Sequence, residues 1–217
     1  MHTGHEHRFV QSLATAVLFA VSVTVLPARA QDVPPDVLVR NTTEEVLSIV
    51  RADKEIREGK TERIVQLIEE KVAPHFDFAR MTRLAVGRPW REATPDQRDG
   101  LIGEFRTLLV RSYAAAFTAY LGIAVDYRPH RMNPGDTETV VQTLIKMPGG
   151  AQPMSVDYDM TSTPNGWKVY DVRVAGASLI INYRNLFAQE IQNGGIEGLL
   201  KSLADKNSGR IPTAARQ

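Results

Sequence analysis

The hydrophobic pattern of the chain changes its period at Gly122, and this change restricts the fold more than any other feature. Between Val37 and Tyr120, apolar residues recur every three or four positions, which is the spacing of amphipathic helices. After Gly122, apolar and polar residues alternate, which is the spacing of half-buried strands. The alternating segments are residues 123–128, 141–146 and 154–161, and Asn165-Gly166 is a hairpin signal that leads into a fourth strand at residues 167–174. Helical spacing returns after Ser178, so the sequence predicts an α+β fold in which several helices cover one face of an antiparallel sheet of about four to five strands.

Capping residues mark where the predicted helices begin and end. Thr94 and Gln97 have the spacing of a capping box in front of a helix of about 25 residues, the longest one predicted. Thr61 is the predicted N-cap of an earlier helix, and Ser178 is the predicted N-cap of the helix that follows the sheet. Gly194 and Gly195 are predicted to stop that helix before a shorter one.

The composition excludes several classes of protein. The 217 residues are 43% hydrophobic and 24% charged, which is ordinary for a globular chain. The 26 basic and 25 acidic residues nearly cancel, so we expect no nucleic-acid partner and no long-range attraction to an anionic membrane. The absence of cysteine excludes disulfides and thiolate chemistry. We expect one domain at residues 31–206, present as a monomer, and a flexible tail at residues 207–217.

Residues 1–30 have the features of a cleavable secretory signal peptide. Arg8 precedes an apolar run from Phe9 to Leu26, which is followed by Pro27 and the small-x-small pattern of Ala28 to Ala30. A membrane anchor is the alternative, but the run is short and is interrupted by polar residues. Export without disulfides favours a bacterial periplasm, and no later segment is apolar enough to suggest stable membrane insertion.

The sequence lacks motifs for catalysis or metal binding. The predicted mature chain has two histidines, His75 and His130, without metal-ligand spacing. It has no nucleophile elbow, phosphate-binding loop or dinucleotide fingerprint. Asp157, Asp159 and Asp171 most nearly resemble paired carboxylates, but they alternate with apolar residues and are expected on the solvated face of the sheet. We therefore expect no enzyme, no metal and no cofactor.

Several segments in combination resemble one protein family. The segments are FDFARMTRLAVGRPWREATPDQR, FRTLLVRSYAAAFTAY, MSVDYDM, NGWKVYDVRVAGASLI and GGIEGLL. In this order, over nearly the whole predicted mature chain, they resemble the MlaC, or toluene-tolerance, family of periplasmic phospholipid carriers.

The resemblance implies a binding site and a set of partners. A twisted antiparallel sheet and the surrounding helices would enclose an apolar cavity for the acyl tails of a phospholipid, which is cargo rather than a cofactor. The carrier would pass phospholipid between an outer-membrane lipoprotein complex and an inner-membrane ABC transporter with an MCE-domain protein. This transport would maintain the lipid asymmetry of the outer membrane.

The lipid-binding residues that the resemblance implies lie on stripes of the longest helix and of the sheet. Without the resemblance, the same stripes would be interpreted as packed core. Methionines among them suit disordered tails because their side chains are flexible. The residues are Phe105, Leu108, Tyr113, Phe117, Met154, Val156, Tyr158, Met160, Val172 and Val174.

A basic hinge in front of the longest helix is a second candidate site. It contains Arg80, Arg83, Arg88, Trp90 and Arg91. Arginines beside an exposed aromatic side chain favour docking to a protein partner or to acidic headgroups. The alternative is a solvated turn in which a partly buried Trp90 staples two helices together.

Three other functions are compatible with the same pattern. A carrier of this fold could take another lipid, such as a hopanoid. An enzyme of the NTF2-like kind would need acid–base groups that point into the cavity, and the face from Met154 to Met160 supplies none. A structural adaptor would have a solid core and no cavity.

Overall fold

The computed structural model of the chain describes residues 33–116 and 122–209. The predicted signal peptide at residues 1–30, the predicted lipid-binding residue Phe117 and the part of the predicted tail beyond residue 209 lie outside these ranges. Within them, helices, strands and helices follow one another in the predicted order.

Helices form the first part of the chain and its end. The first part contains α1 (Pro35–Ala52), α2 (Lys54–Arg57), α3 (Thr61–Leu67), a π-helical turn (Ile68–Val72), a 3-10 turn (Ala73–His75), α4 (Phe78–Val86), a second 3-10 turn (Arg88–Arg91) and α5, described over Pro95–Ala116. The last helix, α6 (Leu179–Asn207), leaves helical geometry at Gly195, where φ is 64° and ψ is −164°. This break confirms the predicted stop. The helix ends at Asn207, where the predicted tail begins.

Within the described residues, five strands form one antiparallel sheet. They are β1 (Ala124–Tyr127), β2 (Glu138–Lys146), β3 (Met154–Thr163), β4 (Gly166–Val174) and β5 (Ala177–Ser178). Each strand pairs with the next along the chain, which confirms the predicted α+β meander. The two-residue strand β5 brings the sheet to five strands, within the predicted four to five.

A β-bulge at Tyr170 changes the facing of β4. Asp159 pairs with Asp171, whereas Met160, the next residue of β3, pairs with Val169. Tyr170 is therefore an extra residue without a partner in the register. Since paired residues share a face of the sheet, Val169 and Val172 face the same side although they are three residues apart. The strand predicted at residues 167–174 included no such bulge.

Three hydrophobic clusters join the layers. The cluster between α4, α5 and α6 contains Met81, Leu101, Phe105, Phe187, Leu199 and Leu203. A second cluster joins the three helices α1, α3 and α5. It includes Val50, Ile64 and Val110. The third packs Val39 of α1 against Val141, Met160, Trp167 and Val169 of the sheet. Burial of these side chains supplies the main favourable free energy of folding.

The segment after α3 connects the helices to the edge of β4. The backbone N–H of Asp77 donates to the carbonyl of Val169 at 2.8 Å. The Nζ of Lys168 donates to the carbonyl of Pro74 at 2.6 Å. Phe76 forms an isolated parallel bridge with Val169. The bond from Asp77 satisfies a backbone carbonyl that β4 would otherwise expose.

Asp171 determines where α6 begins. Its carboxylate accepts hydrogen bonds from the hydroxyl of Ser178 and from the backbone N–H of Ile180. The Oγ of Ser178 accepts from the N–H of Ile181 at 3.0 Å, which confirms Ser178 as the N-cap. The first turn of α6 is thus bound to β4. The prediction that Asp171 is a solvated charge is wrong, because its carboxylate is occupied at this joint.

Asp159 also differs from the prediction of a solvated carboxylate. It forms an ion pair with Arg173, and only 16% of its side chain is exposed. Burial raises the pKa of Asp159, and the nearby Arg173 guanidinium opposes this shift. Arg173 of the neighbouring strand β4 therefore covers part of the sheet face that the sequence pattern assigned to solvent.

The two predicted N-caps among the early helices have different outcomes. The Oγ1 of Thr94 accepts from the N–H of Gln97 at 3.2 Å, and the Oε1 of Gln97 accepts from the N–H of Thr94 at 3.0 Å. The predicted capping box is therefore confirmed. Thr61 is not a cap but the first helical residue, and Lys60 precedes it. The left-handed turn at Gly59 leaves Lys60, rather than Thr61, as the extended residue before the helix.

We expect Thr94→Ala to lower the free energy of unfolding by about 1 kcal/mol, because the N–H of Gln97 loses its acceptor. Urea denaturation measures this change. Thr61→Ala is the matched control, since Thr61 is exposed and caps nothing, and it should leave the free energy nearly unchanged. Equal losses in the two variants would contradict the capping role.

We expect His75 to make the free energy of unfolding sensitive to acid. Burial, and less strongly the charge of Lys168, lowers the pKa of His75 from its ordinary value of 6.5, while Glu45 opposes the shift. The unfolded chain therefore binds this proton more tightly, and stability falls as the pH drops through 6.5 towards the folded-state pKa. His75→Gln should make the free energy of unfolding fall less steeply over this range, as measured by denaturation at a series of pH values. Identical slopes for the two proteins would exclude this contribution.

Candidate functional site

A cavity of about 430 Å³ lies between the sheet and helices α4, α5 and α6. Its sheet wall consists of Ile145, Met154, Val156, Tyr158, Val172 and Val174. Its helical wall includes Phe76, Phe78, Met81, Leu109, Val110 and Tyr113. Among the described residues, no carboxylate, imidazole, amine or guanidinium lines this cavity, which we call the main cavity. A space of this size and lining suits hydrocarbon.

The register of the sheet produces the apolar wall. Val156 pairs with Val174, and Tyr158 pairs with Val172, so these four side chains share one face. The bulge at Tyr170 lies before Val172 and brings the end of β4 into phase with β3. An unbulged β4 would turn either its first or its second half away from the helices.

The main cavity reaches the surface beside α5 and α6. The side chains of Tyr113 and Asn182 line the cavity and are also exposed, Tyr113 by 45%. Ile181, next to Asn182, is 56% exposed. Asn182 lies in the first turn of α6, which Asp171 and Ser178 hold in place. The opening therefore combines a polar amide and a phenol.

Tyr158 places one hydroxyl inside the apolar wall. The Oγ1 of Thr143, on the same face of the sheet, donates to the carbonyl of Val156 at 2.7 Å. Burial raises the pKa of Tyr158 to about 12, so the phenol is uncharged at neutral pH. The main cavity therefore receives no charge from Tyr158.

A second cavity of about 260 Å³ lies beneath α1, and we call it the α1 cavity. Helix α1 contributes Leu38, Val39, Thr42, Thr43, Val46, Leu47 and Val50. The sheet contributes Val125, Ile145, Tyr158, Met160 and Val169. His75 also lines it and introduces a titratable group whose pKa is lowered by burial. Most of this lining is apolar as well.

Most of the residues predicted to bind lipid lie at these two cavities. Tyr113, Met154, Val156, Tyr158, Val172 and Val174 line the main cavity, and Met160 lines the α1 cavity. Phe105 and Leu108 line neither of these two cavities and belong to the cluster between α4, α5 and α6. The ring of Phe105 is fully buried, and its centroid is 4.9 Å from that of Tyr183 and 5.1 Å from that of Phe187. Helix α6 covers this side of α5, and the stripe on α5 alone does not reveal that contact.

Sequence analysis missed several lining residues. Leu109 lies four residues before Tyr113 on α5, so the helical period alone could have selected it. Phe76 and Phe78 flank Asp77, and their large aromatic side chains could have indicated that they line the cavity. Asn182 carried no signal, because an asparagine near the start of a helix is common and its neighbours come from distant segments.

Arg80 of the basic hinge has a structural contact. Its guanidinium lies 2.6 Å from the carboxylate of Glu138 and 3.7 Å from the ring centroid of Tyr170. This guanidinium lowers the pKa of Glu138. Tyr170 is the bulge residue, so Arg80 attaches α4 to the irregular part of β4. Its side chain is less available to a partner than the hinge sequence indicated.

The remaining hinge residues separate into exposed arginines and a half-buried tryptophan. Arg83, Arg88 and Arg91 are exposed. Trp90 packs against the cluster between α4, α5 and α6, and the guanidinium carbon of Arg98 lies 5.6 Å from its ring centroid. The Nε of Arg98 also donates to the carbonyl of Trp90 at 3.2 Å. Trp90 thus joins the hinge to α5, as the staple alternative predicted.

Metal-binding groups and membrane-spanning helices are both absent from the described residues. In the part of the chain that the structure describes, no three histidine, aspartate or glutamate residues are grouped so that they could hold a metal ion. Over residues 33–116 and 122–209, no helix combines the length and apolarity needed to cross a membrane.

Comparisons with known proteins identify the family. Residues 40–205 match the family model of the MlaC protein. The toluene tolerance protein ttg2D of Pseudomonas putida is 24% identical over 187 residues, which cover 86% of each chain. A phospholipid-binding protein from Ralstonia solanacearum, solved in complex with a phospholipid, is 35% identical with a TM-score of 0.74, over 80% of this chain and 97% of that one. The chain therefore belongs to the MlaC family.

Proposed function

We propose that this member of the MlaC family carries phospholipid through the bacterial periplasm, with the acyl tails in the main cavity. The observation that carries the proposal is the uncharged apolar cavity of about 430 Å³ between the sheet and the helices. It is supported by the 35% identity to a protein solved with a bound phospholipid. The function requires capture and release of a lipid and no chemical reaction.

The energetics of transfer agree with such a carrier. Each methylene that leaves water gains about 0.8 kcal/mol, in a membrane or in an apolar protein cavity. Transfer from a membrane to the protein therefore exchanges two similar environments. The cavity must stay open and uncharged for this balance to hold, and the neutral phenol of Tyr158 meets the second requirement.

We assign the tail contacts to the predicted residues that line the cavities. They are Tyr113, Met154, Val156, Tyr158, Met160, Val172 and Val174. Phe105 and Leu108 support the wall from behind, and Phe117 stays a prediction from the sequence. The glycerol and headgroup would lie at the opening, which the exposed side chains of Asn182 and Tyr113 line.

The proposed partners follow from family membership. The carrier would collect or deliver phospholipid at an outer-membrane lipoprotein complex and at an inner-membrane ABC transporter with an MCE-domain protein. The signal-peptide features of residues 1–30 support export to the compartment between these membranes. The consequence would be maintenance of outer-membrane lipid asymmetry.

Native mass spectrometry tests the cargo. The full chain is produced in a Gram-negative bacterium, purified without detergent from the periplasmic fraction, and analysed before and after lipid extraction. We expect a mass adduct that releases phospholipid. A lipid-free mass that persists after incubation with phosphatidylethanolamine vesicles would contradict the carrier function. A hopanoid in the extract would establish the other-lipid alternative.

Val156→Arg locates the cargo in the same assay. We expect the adduct to disappear, because a guanidinium in the main cavity would stay hydrated and would find no carboxylate among the described lining residues. Ser155→Arg is the matched control, since the preceding residue of β3 projects from the opposite face, and it should keep the adduct. Circular dichroism checks the fold of both variants. A folded Val156→Arg variant with wild-type lipid content would place the cargo elsewhere.

We also propose that the exposed arginines of the hinge contact a partner protein. Arg88→Glu should slow association with the MCE-domain protein and weaken its salt dependence, as measured by surface plasmon resonance at several ionic strengths. Arg128→Glu makes the same charge change at an exposed arginine after β1 and serves as the control. Equal effects of the two substitutions would indicate a response to net charge, not to docking at the hinge.

A further inference from the structure

The two cavities share a common wall. Val72, Phe76, Ile145 and Tyr158 line both the main cavity and the α1 cavity. Side chains that border two spaces lie between them, so these four form a partition. The spaces on both sides are largely apolar, and the partition therefore separates two compartments that suit the same kind of ligand.

Tyr158 is the member of the partition that comes from the middle of the sheet. Its backbone pairs with Val141 of β2 on one side and with Val172 of β4 on the other. The strand that carries its ring is therefore held on both sides, so the ring projects into the partition from a fixed backbone.

The other members support the ring from two sides. Phe76 is fixed by its bridge to Val169, and its ring stacks on Phe78 with a centroid separation of 5.9 Å. Ile145 comes from β2 and pairs with Met154, which lines only the main cavity. Val72 closes the helical side at the end of the π-helical turn. A tail that enters from the opening at Asn182 meets these side chains at the far end.

We propose that Tyr158 determines the length of acyl tail that the main cavity accepts, by separating it from the α1 cavity. This inference rests on the proposed function as a phospholipid carrier. The α1 cavity is then reserve volume, and a tail reaches it only when the ring of Tyr158 is removed. The roof of that volume is α1, whose apolar residues Leu38 and Val46 face it.

A competition between two lipids tests the role of Tyr158. Each protein is incubated with vesicles that contain equal amounts of dimyristoyl and distearoyl phosphatidylethanolamine, and the bound lipids are counted by native mass spectrometry. Every variant is offered the same vesicles, so the preference of the donor membrane cancels between variants. The ratio of long-tailed to short-tailed lipid is the readout.

We expect Tyr158→Ala to raise this ratio by about fourfold for each additional methylene that enters the α1 cavity. Tyr158→Phe keeps the ring and should keep the wild-type ratio. Leu38→Ala enlarges the α1 cavity without opening the partition, and it should also keep the wild-type ratio. Val72→Ala opens the partition at another point, and a smaller rise is expected there.

The outcomes separate this inference from the proposed function. A folded Tyr158→Ala variant that binds lipid at the wild-type ratio overturns the role of Tyr158, and so does an equal rise in Leu38→Ala. If Tyr158→Ala does not fold, Val72→Ala decides: a rise supports the partition, and an unchanged ratio overturns it. If the wild-type protein takes up neither lipid, the carrier function itself fails.

Discussion

Polar contacts along β4 hold the helical layer against the sheet, and the main cavity depends on them. The backbone of Asp77 binds that of Val169, and the carboxylate of Asp171 holds the first turn of α6. These contacts lie at or near the edge of the sheet and fix α4 and α6 there, while α1 packs onto the sheet through Val39. Apolar burial contributes about 25 cal/mol per Å², which would otherwise favour closure of the helices onto Val156 and Tyr158.

Some core residues stabilise the fold without lining the two cavities, whereas others, such as Met81 and Val110, belong to a hydrophobic cluster and also line the main cavity. Phe105, Tyr183 and Phe187 form an aromatic cluster between α5 and α6, away from the sheet. Such packed pairs contribute to stability beyond the area that they bury. The side chains that line the cavity around Val156 have no packing partners on the side of the empty space, which costs dispersion energy. In the proposed carrier, lipid tails would supply those missing contacts while bound.

Features that depend on a few neighbouring residues were predictable. The capping box of Thr94 and Gln97 and the break at Gly195 follow from backbone chemistry within one helical turn. The bulge also leaves a trace in the sequence, because the apolar positions of β4 shift phase between Val169 and Val172. Thr61 failed as a cap because the turn at Gly59 ended one residue earlier than expected.

The amino-acid sequence by itself determined the order of helices and strands, most helix ends and the apolar face of each element, since these depend on residues close together in the chain. The tertiary structure alone decided which apolar residues border empty space: Phe105 and Leu109 share one helical stripe, yet the first meets α6 and the second lines the main cavity. It also decided that Arg80 binds Glu138, which lies 58 residues away. The physical reason is that packing and ion pairing depend on side chains from distant segments. A local sequence pattern does not indicate which distant segment will pack against a given residue.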